Sequence, residues 1–120
     1  MDSVGRTILI DEDFFPVFQA LASCSPAWFF QIVDSFARAG LKYGLSKDSA
    51  VEIAAQAMAG AAALLLAERE NGTIPAQLID RVTSPGGTTI AGLLAAEEGG
   101  LSTALVGAVD ASIHADSHLG

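Results

Sequence analysis

The stretch from Ala54 to Ala67 constrains this chain more than any other, because every position in it is apolar except Gln56 and Gly60. Ser46 stands where an N-cap belongs, and a helix is predicted from about Lys47 to Arg69. A helix apolar nearly all round has no face to give to water, so a large core, another subunit or a membrane must cover it. The membrane is the weakest of the three: alanine dominates, Glu52 and Gln56 interrupt the first turns, and a span needs about 20 strongly apolar residues. Ala55, Ala59, Gly60 and Ala63 are small enough to let another helix approach closely. In a chain of 120 residues, which suits one domain, much of the burial is expected to come from a second subunit.

The flanking segments are also helical in pattern. Thr7-Ile8-Leu9-Ile10 reads as a short extended lead-in without an obvious strand partner. Asp11 or Asp13 can cap a helix through Phe14, Phe15, Val17, Phe18 and Leu21, whose aromatics are expected in the core. Ala22 to Trp28 is predicted as a break, since the residue before Pro26 disfavours the helical conformation; Ser25 then caps a second helix with Pro26 in its first position. That helix carries a stripe of Trp28, Phe29, Ile32, Val33, Phe36, Ala37 and Leu41 and is expected to stop near Gly40 or Gly44. Trp28 is a core residue or, less plainly, a pocket wall. Asn71 to Pro75 is a turn, and Pro75 opens a short helix through Leu78 and Ile79. Glu97-Glu98-Gly99-Gly100 ends a further helix, and Leu105, Val109 and Ile113 mark the apolar stripe of the last.

Between the last two of these joints lies Arg81-Val82-Thr83-Ser84-Pro85-Gly86-Gly87-Thr88-Thr89-Ile90. Ser84 is a good N-cap and Pro85 fits a first helical position, so a helix is predicted to start here with Gly86 and Gly87 in its first turn. Each glycine costs roughly 1 kcal/mol against alanine in a helix, so the pair needs a reason. Glycines without β-carbons leave the free N–H groups of a helix N-terminus open to a carboxylate or phosphate, which the helix dipole favours. They also let another helix pack closely, and the residues alone leave both readings open. Arg81 either adds charge to such a site or pairs with Asp80 or Asp34.

Composition excludes several classes. Fourteen acidic residues against six basic give a net charge of −8, which argues against nucleic acid and anionic membrane surfaces as partners. The single Cys24 makes no internal disulfide and reads as a small buried thiol; a reducing compartment, the cytoplasm, is expected, with no signal peptide at the N-terminus. His114 and His118 lie four apart with Asp110 one turn before them, but a solvated helix end accounts for them better than a metal site, and no metal is expected. No Ser–His–Asp or Cys–His spacing is specified, and the Gly-x-Gly-x-x-Gly dinucleotide fingerprint is absent. The expected fold is all-α, with no Rossmann domain.

Asp80 to Ile90, followed by Leu93 and Glu97-Glu98-Gly99-Gly100, resembles the signature of the pyrroline-5-carboxylate reductases, and Pro26-Ala27, Ala39-Gly40, Gly44-Leu45 and Ala54-Ala55-Gln56 extend the similarity over nearly the whole chain. What resembles the family is its C-terminal half. The resemblance implies a helical bundle forming an interlocked dimer, like the C-terminal domain of 6-phosphogluconate dehydrogenase. Residues 1–10 would lead in from a Rossmann domain, and 11–120 would form the dimerisation and substrate-binding domain. It implies reduction of 1-pyrroline-5-carboxylate to L-proline with NAD(P)H, which this chain alone would not bind, leaving it inactive by itself. Ser84 and the backbone of Gly86, Gly87 and Thr88 would hold the substrate carboxylate, and the Thr89 hydroxyl, the catalytic group implied, would approach the ring nitrogen. Where the family commonly reads Ser-Gly-Ser-Gly-Pro-Ala-Tyr, this chain reads Ala22-Ser23-Cys24-Ser25-Pro26-Ala27-Trp28. That departure leaves a related imine open as substrate, and a non-catalytic helical dimerisation module is the alternative from a different class.

Overall fold

Pro26 does not break the first helix. In the computed structural model, which describes residues 10–119, a 3-10 turn (Glu12–Phe14) leads into α1 (Phe15–Gln19), a π-helical turn (Ala20–Cys24) and α2 (Ser25–Lys42) without interruption. The predicted break at Ala22–Trp28 and the predicted cap at Ser25 are therefore corrected, and the local hydrogen bonds give the reason. The Ser25 N–H reaches back five residues to the Ala20 carbonyl, and the Ser25 hydroxyl donates to the Leu21 carbonyl at 2.5 Å. The widened turn gives the helix slack where the proline ring, lacking an N–H, meets the preceding turn. Asp11 precedes the first turn, but its side chain makes no capping bond. The extended lead-in at Thr7–Ile10 lies, but for Ile10, outside the described residues.

The next joints follow the sequence closely. Gly44 has φ +103°, the Leu45 N–H donates to the Gly40 carbonyl at 3.0 Å and the Gly44 N–H to the Leu41 carbonyl at 3.0 Å. This is a Schellman ending, for which a left-handed glycine is the natural residue. α3 (Lys47–Glu68) starts where Ser46 Oγ accepts the Ser49 N–H at 3.1 Å. A 3-10 turn (Arg69–Asn71) ends in a second such corner at Gly72, φ +76°. Pro75 then opens α4 (Pro75–Val82), followed by α5 (Thr88–Glu98) and α6 (Leu101–Leu119). No strand occurs among the described residues, so the domain is all-α as expected.

Two compact units divide the chain, one formed by the residues up to Trp28 with those from Ser102 onward, the other by Phe29–Leu101. In the first, Ser112 and Asp116 of α6 face Pro16, Ala20 and Cys24 across a groove of about 170 Å³. In the second, α2 and α3 pack closely at Gly40 and Ala50.

Burial departs most from expectation. Among the described residues the buried apolar ones are Ala20, Ala37 and Ala50, and no large side chain is fully enclosed. Phe14, Phe15 and Phe18, expected in the core, are exposed, as are Phe29, Phe30 and Phe36 of α2. Cys24, expected buried, is exposed too. Helical periodicity marks which face is apolar and leaves open what covers it.

Candidate functional site at the glycine turn

The turn hangs between the ends of two helices. α4 stops at Val82, Thr83 is extended, and the Thr83 hydroxyl donates to the Ile79 carbonyl at 2.9 Å. The Gly87 N–H donates to the Ser84 carbonyl at 3.0 Å, with Pro85 second and Gly86 third at φ +71°. A proline in the second place and a left-handed glycine in the third make a type II turn. Helix α5 thus begins at Thr88 with Gly87 as its N-cap, rather than at Pro85 with both glycines in its first turn. Pro85 has a backbone angle that suits either arrangement, and Gly86 adopts a conformation outside the helical region, so the helix starts only after the turn.

Each glycine has its own reason. Gly86 supplies the positive φ. Gly87 sits against Ser84: a β-carbon there would stand 2.5 Å from Ser84 Oγ and 3.2 Å from the Ser84 carbonyl oxygen, so the Ser84 side chain would have to turn and its carbonyl to shift. No side chain caps α5. The N–H groups of Thr88, Thr89 and Ile90 occupy positions without an intrahelical acceptor, at the positive end of the helix dipole. Of the residues that the sequence singles out, Ser84, Gly86 and Gly87 lie in the turn, and Thr88 and Thr89 are the first two residues of α5. Of their backbone donors, the Gly87 N–H is already engaged in closing it. Ser84, Gly86, Thr88 and Thr89 are exposed.

Arg81 pairs with neither Asp80 nor Asp34. Its Nη1 donates to Glu68 Oε1 at 3.1 Å, a partner that the sequence reading missed because it lies thirteen positions earlier. Asp34 instead meets Lys47 at 3.0 Å and Arg38 at 3.2 Å. The hydrogen bond from Lys47, with the charges of Lys47 and Arg38, holds the Asp34 carboxyl below its ordinary range against a smaller opposing effect of desolvation. Trp28 is half-buried. His114 is exposed on α6, the His118 side chain lies outside the described residues, and no metal-binding cluster occurs among the described residues.

The large grooves lie elsewhere. One of about 470 Å³ runs between Phe30 and Val33 of α2 and Val51 and Ala55 of α3. Another, about 540 Å³, lies between Phe36 and Gly40 of α2 and Ile53 and Ala57 of α3. Met58 lines both, so the apolar helix α3 is open on two flanks. By length and composition, residues 47–71 could also cross a membrane.

Known proteins share this sequence and arrangement. The family described as pyrroline-5-carboxylate reductase dimerisation matches residues 12–119. A pyrroline-5-carboxylate reductase of Treponema pallidum is 41% identical over 111 residues, which cover 92% of this chain and 41% of that protein. The crystal structure of 1-pyrroline-5-carboxylate reductase from Streptococcus pyogenes superposes with a TM-score of 0.82 at 39% identity, covering 94% of this chain and 42% of that one. The Plasmodium falciparum pyrroline carboxylate reductase, solved with NADP bound, superposes with a TM-score of 0.82 at 27% identity, covering 92% and 41%. The chain spans about two fifths of the length of these relatives. A family match over residues 12–119, with nearly the whole chain superposing on solved members, makes the chain a member of the pyrroline-5-carboxylate reductase dimerisation family.

Proposed function

We propose that this chain pairs as a homodimer through α3 and its neighbours and forms the dimerisation and substrate-binding part of a cytoplasmic pyrroline-5-carboxylate reductase. The observation that carries the pairing is the exposed apolar surface. Phe29, Phe30 and Phe36 of α2 and Ile53 of α3 are exposed, and the open flanks of α3 are where a partner's helices would lie. The membrane is the poorer cover, because the groove between Phe30 of α2 and Val51 of α3 is also lined by the charged Asp34.

Reduction of 1-pyrroline-5-carboxylate adds a hydride to the carbon of the ring C=N bond and a proton to its nitrogen. The substrate carboxylate would lie at the Gly86–Gly87 turn, beside Ser84, against the N–H groups of Gly86 and Thr88, the Gly87 N–H being used to close the turn, and the Thr89 hydroxyl would hydrogen-bond the ring nitrogen. An anion fixed at a helix N-terminus orients the ring, and orientation is the contribution that positioned dipoles make best. The described residues include no strand, and the chain has no Gly-x-Gly-x-x-Gly turn, so they do not fit a dinucleotide. NAD(P)H is held by other residues than these, and this chain's share is confined to binding and orienting the imino acid. The test is the assay in the proline-to-imine direction with NAD+ and NADP+, on the chain alone and mixed with a dinucleotide-binding domain from the same family. Turnover in the mixture alone supports the reading; none in either leaves a dimerisation module or an altered substrate.

A further inference from the structure

The corner between α3 and α4 is more tightly bonded than a surface corner requires. Thr73 is buried, and each of its polar groups is used. Its N–H donates to the Glu68 carbonyl at 3.2 Å, its hydroxyl to Glu68 Oε1 at 3.3 Å, and its carbonyl accepts Arg69 Nη1 at 2.7 Å. The carboxylate oxygen that takes the Thr73 hydroxyl also takes Arg81 Nη1 at 3.1 Å, from the last turn of α4. One oxygen therefore joins the end of α3, the corner and the end of α4.

The far side of α4 is the glycine turn, three residues from Arg81 to Ser84. α4 has eight residues, too few to hold a helix by propensity alone, and Ile79 and Val82 on it are exposed. The position of its C-terminal end therefore depends on ties such as this one. We propose that Glu68 is a positioning residue for the Ser84–Gly87 turn, acting through Arg81. The proposal rests on the reading that the turn holds the imino-acid carboxylate. Arg81 is then a strut and not a ligand of the anion.

The two roles of Arg81 predict opposite results for Glu68→Gln. If Arg81 were an anion ligand held back by Glu68, releasing it would tighten carboxylate binding; a strut, once loosened, weakens it. The first readout is amide exchange of Gly87, whose N–H is bonded within the turn, in the full chain with no ligand. Glu68→Gln and Arg81→Met should each speed exchange at Gly87 roughly two- to fivefold, the range an exposed ion pair commands. The double variant should add nothing further, Arg81→Lys should stay near wild type, and α3 amides from Ala54 to Ala63 should be unchanged throughout. The second readout is L-proline binding in the mixture with the dinucleotide-binding domain, expected to weaken by a similar factor. Wild-type exchange at Gly87 in both single variants, or tighter L-proline binding by Glu68→Gln, overturns the proposal. If the wild-type mixture binds no L-proline, the substrate reading fails, while the Gly87 exchange still decides whether Glu68 positions the turn.

Discussion

A β-carbon placed on Gly40 would stand 2.9 Å from the β-carbon of Ala50, so α2 and α3 meet there with no space between them. The Gly40 carbonyl also accepts the N–H groups of Tyr43 and Leu45, which pins the end of α2 and stops it from sliding away. Gly40→Ala should therefore destabilise the protein by about 1 kcal/mol, because overpacking costs about 1–3 kcal/mol and outweighs the roughly 1 kcal/mol that alanine gains in a helix. Urea unfolding checks this. Gly40→Ala with Ala50→Gly should recover most of the loss, which a purely local effect at Gly40 would not allow.

Gly87→Ala should damage the site more than the fold. The added β-carbon meets both the hydroxyl and the carbonyl oxygen of Ser84, and that carbonyl closes the turn. Displacing it shifts the amides of Thr88 and Thr89, and a misplacement of about 1 Å can cost on the order of 100-fold in rate. Turnover of the mixture with a dinucleotide-binding domain should fall at least tenfold, with a much smaller change in melting temperature. Ser84→Gly in the same chain removes the hydroxyl clash and leaves the carbonyl one, so it should restore only part of the activity.

Acid should act through Asp34. Its pKa is depressed in the folded protein, first by the hydrogen bond from Lys47 and then by the charges of Lys47 and Arg38. A carboxylate of this kind contributes stability above its unfolded pKa of about 3.9 and loses it as pH falls through the lower folded value. Wild type should thus be more stable than Asp34→Asn at pH 6, and the gap should narrow as pH falls below about 4. Unfolding curves at pH 6 and pH 3 measure it, and an equal gap at both would exclude the ion pair as the cause.

The residues that were legible in the sequence carry their conformation locally. Gly44, Gly72, Ser46 and Pro75 each end or start a helix by their own backbone or side-chain chemistry, and each does so in the structure. Pro26 misled because its effect depends on the turn before it, where the Ser25 hydroxyl takes over a carbonyl that the π-helical turn has left. At Pro85-Gly86 two local rules compete, and the left-handed angle of Gly86 decides between them. The Arg81–Glu68 pair joins two helices across a corner, a distance that no helical spacing encodes. The segment Ser84 to Thr89 stands out as a candidate site in the sequence because it is contiguous; its exposure does not.

The aromatic face raises the last prediction. Phe14, Phe15 and Phe36, on apolar faces that the sequence marks, are exposed at 59%, 52% and 63%, while the buried apolar residues among those described are three alanines. Such a protomer has too little core to fold by itself, so folding and pairing should be one event. The melting temperature should then rise with concentration, by about 3–5 °C for each tenfold, since a factor of ten in protomer adds about 1.4 kcal/mol to a dimer of this size. Ile53 separates this from a stable monomer that merely associates. It is 58% exposed in the protomer and lines the groove beside Phe36. In a free-standing monomer Ile53→Glu would be a surface change worth less than about 0.5 kcal/mol. In an obligate dimer it buries a carboxylate in an apolar interface, a cost of several kcal/mol. Light scattering and circular dichroism on Ile53→Glu at micromolar concentration should therefore show loss of the dimer together with loss of helix. A helical, monomeric Ile53→Glu protein would mean that the protomer holds its fold without a partner.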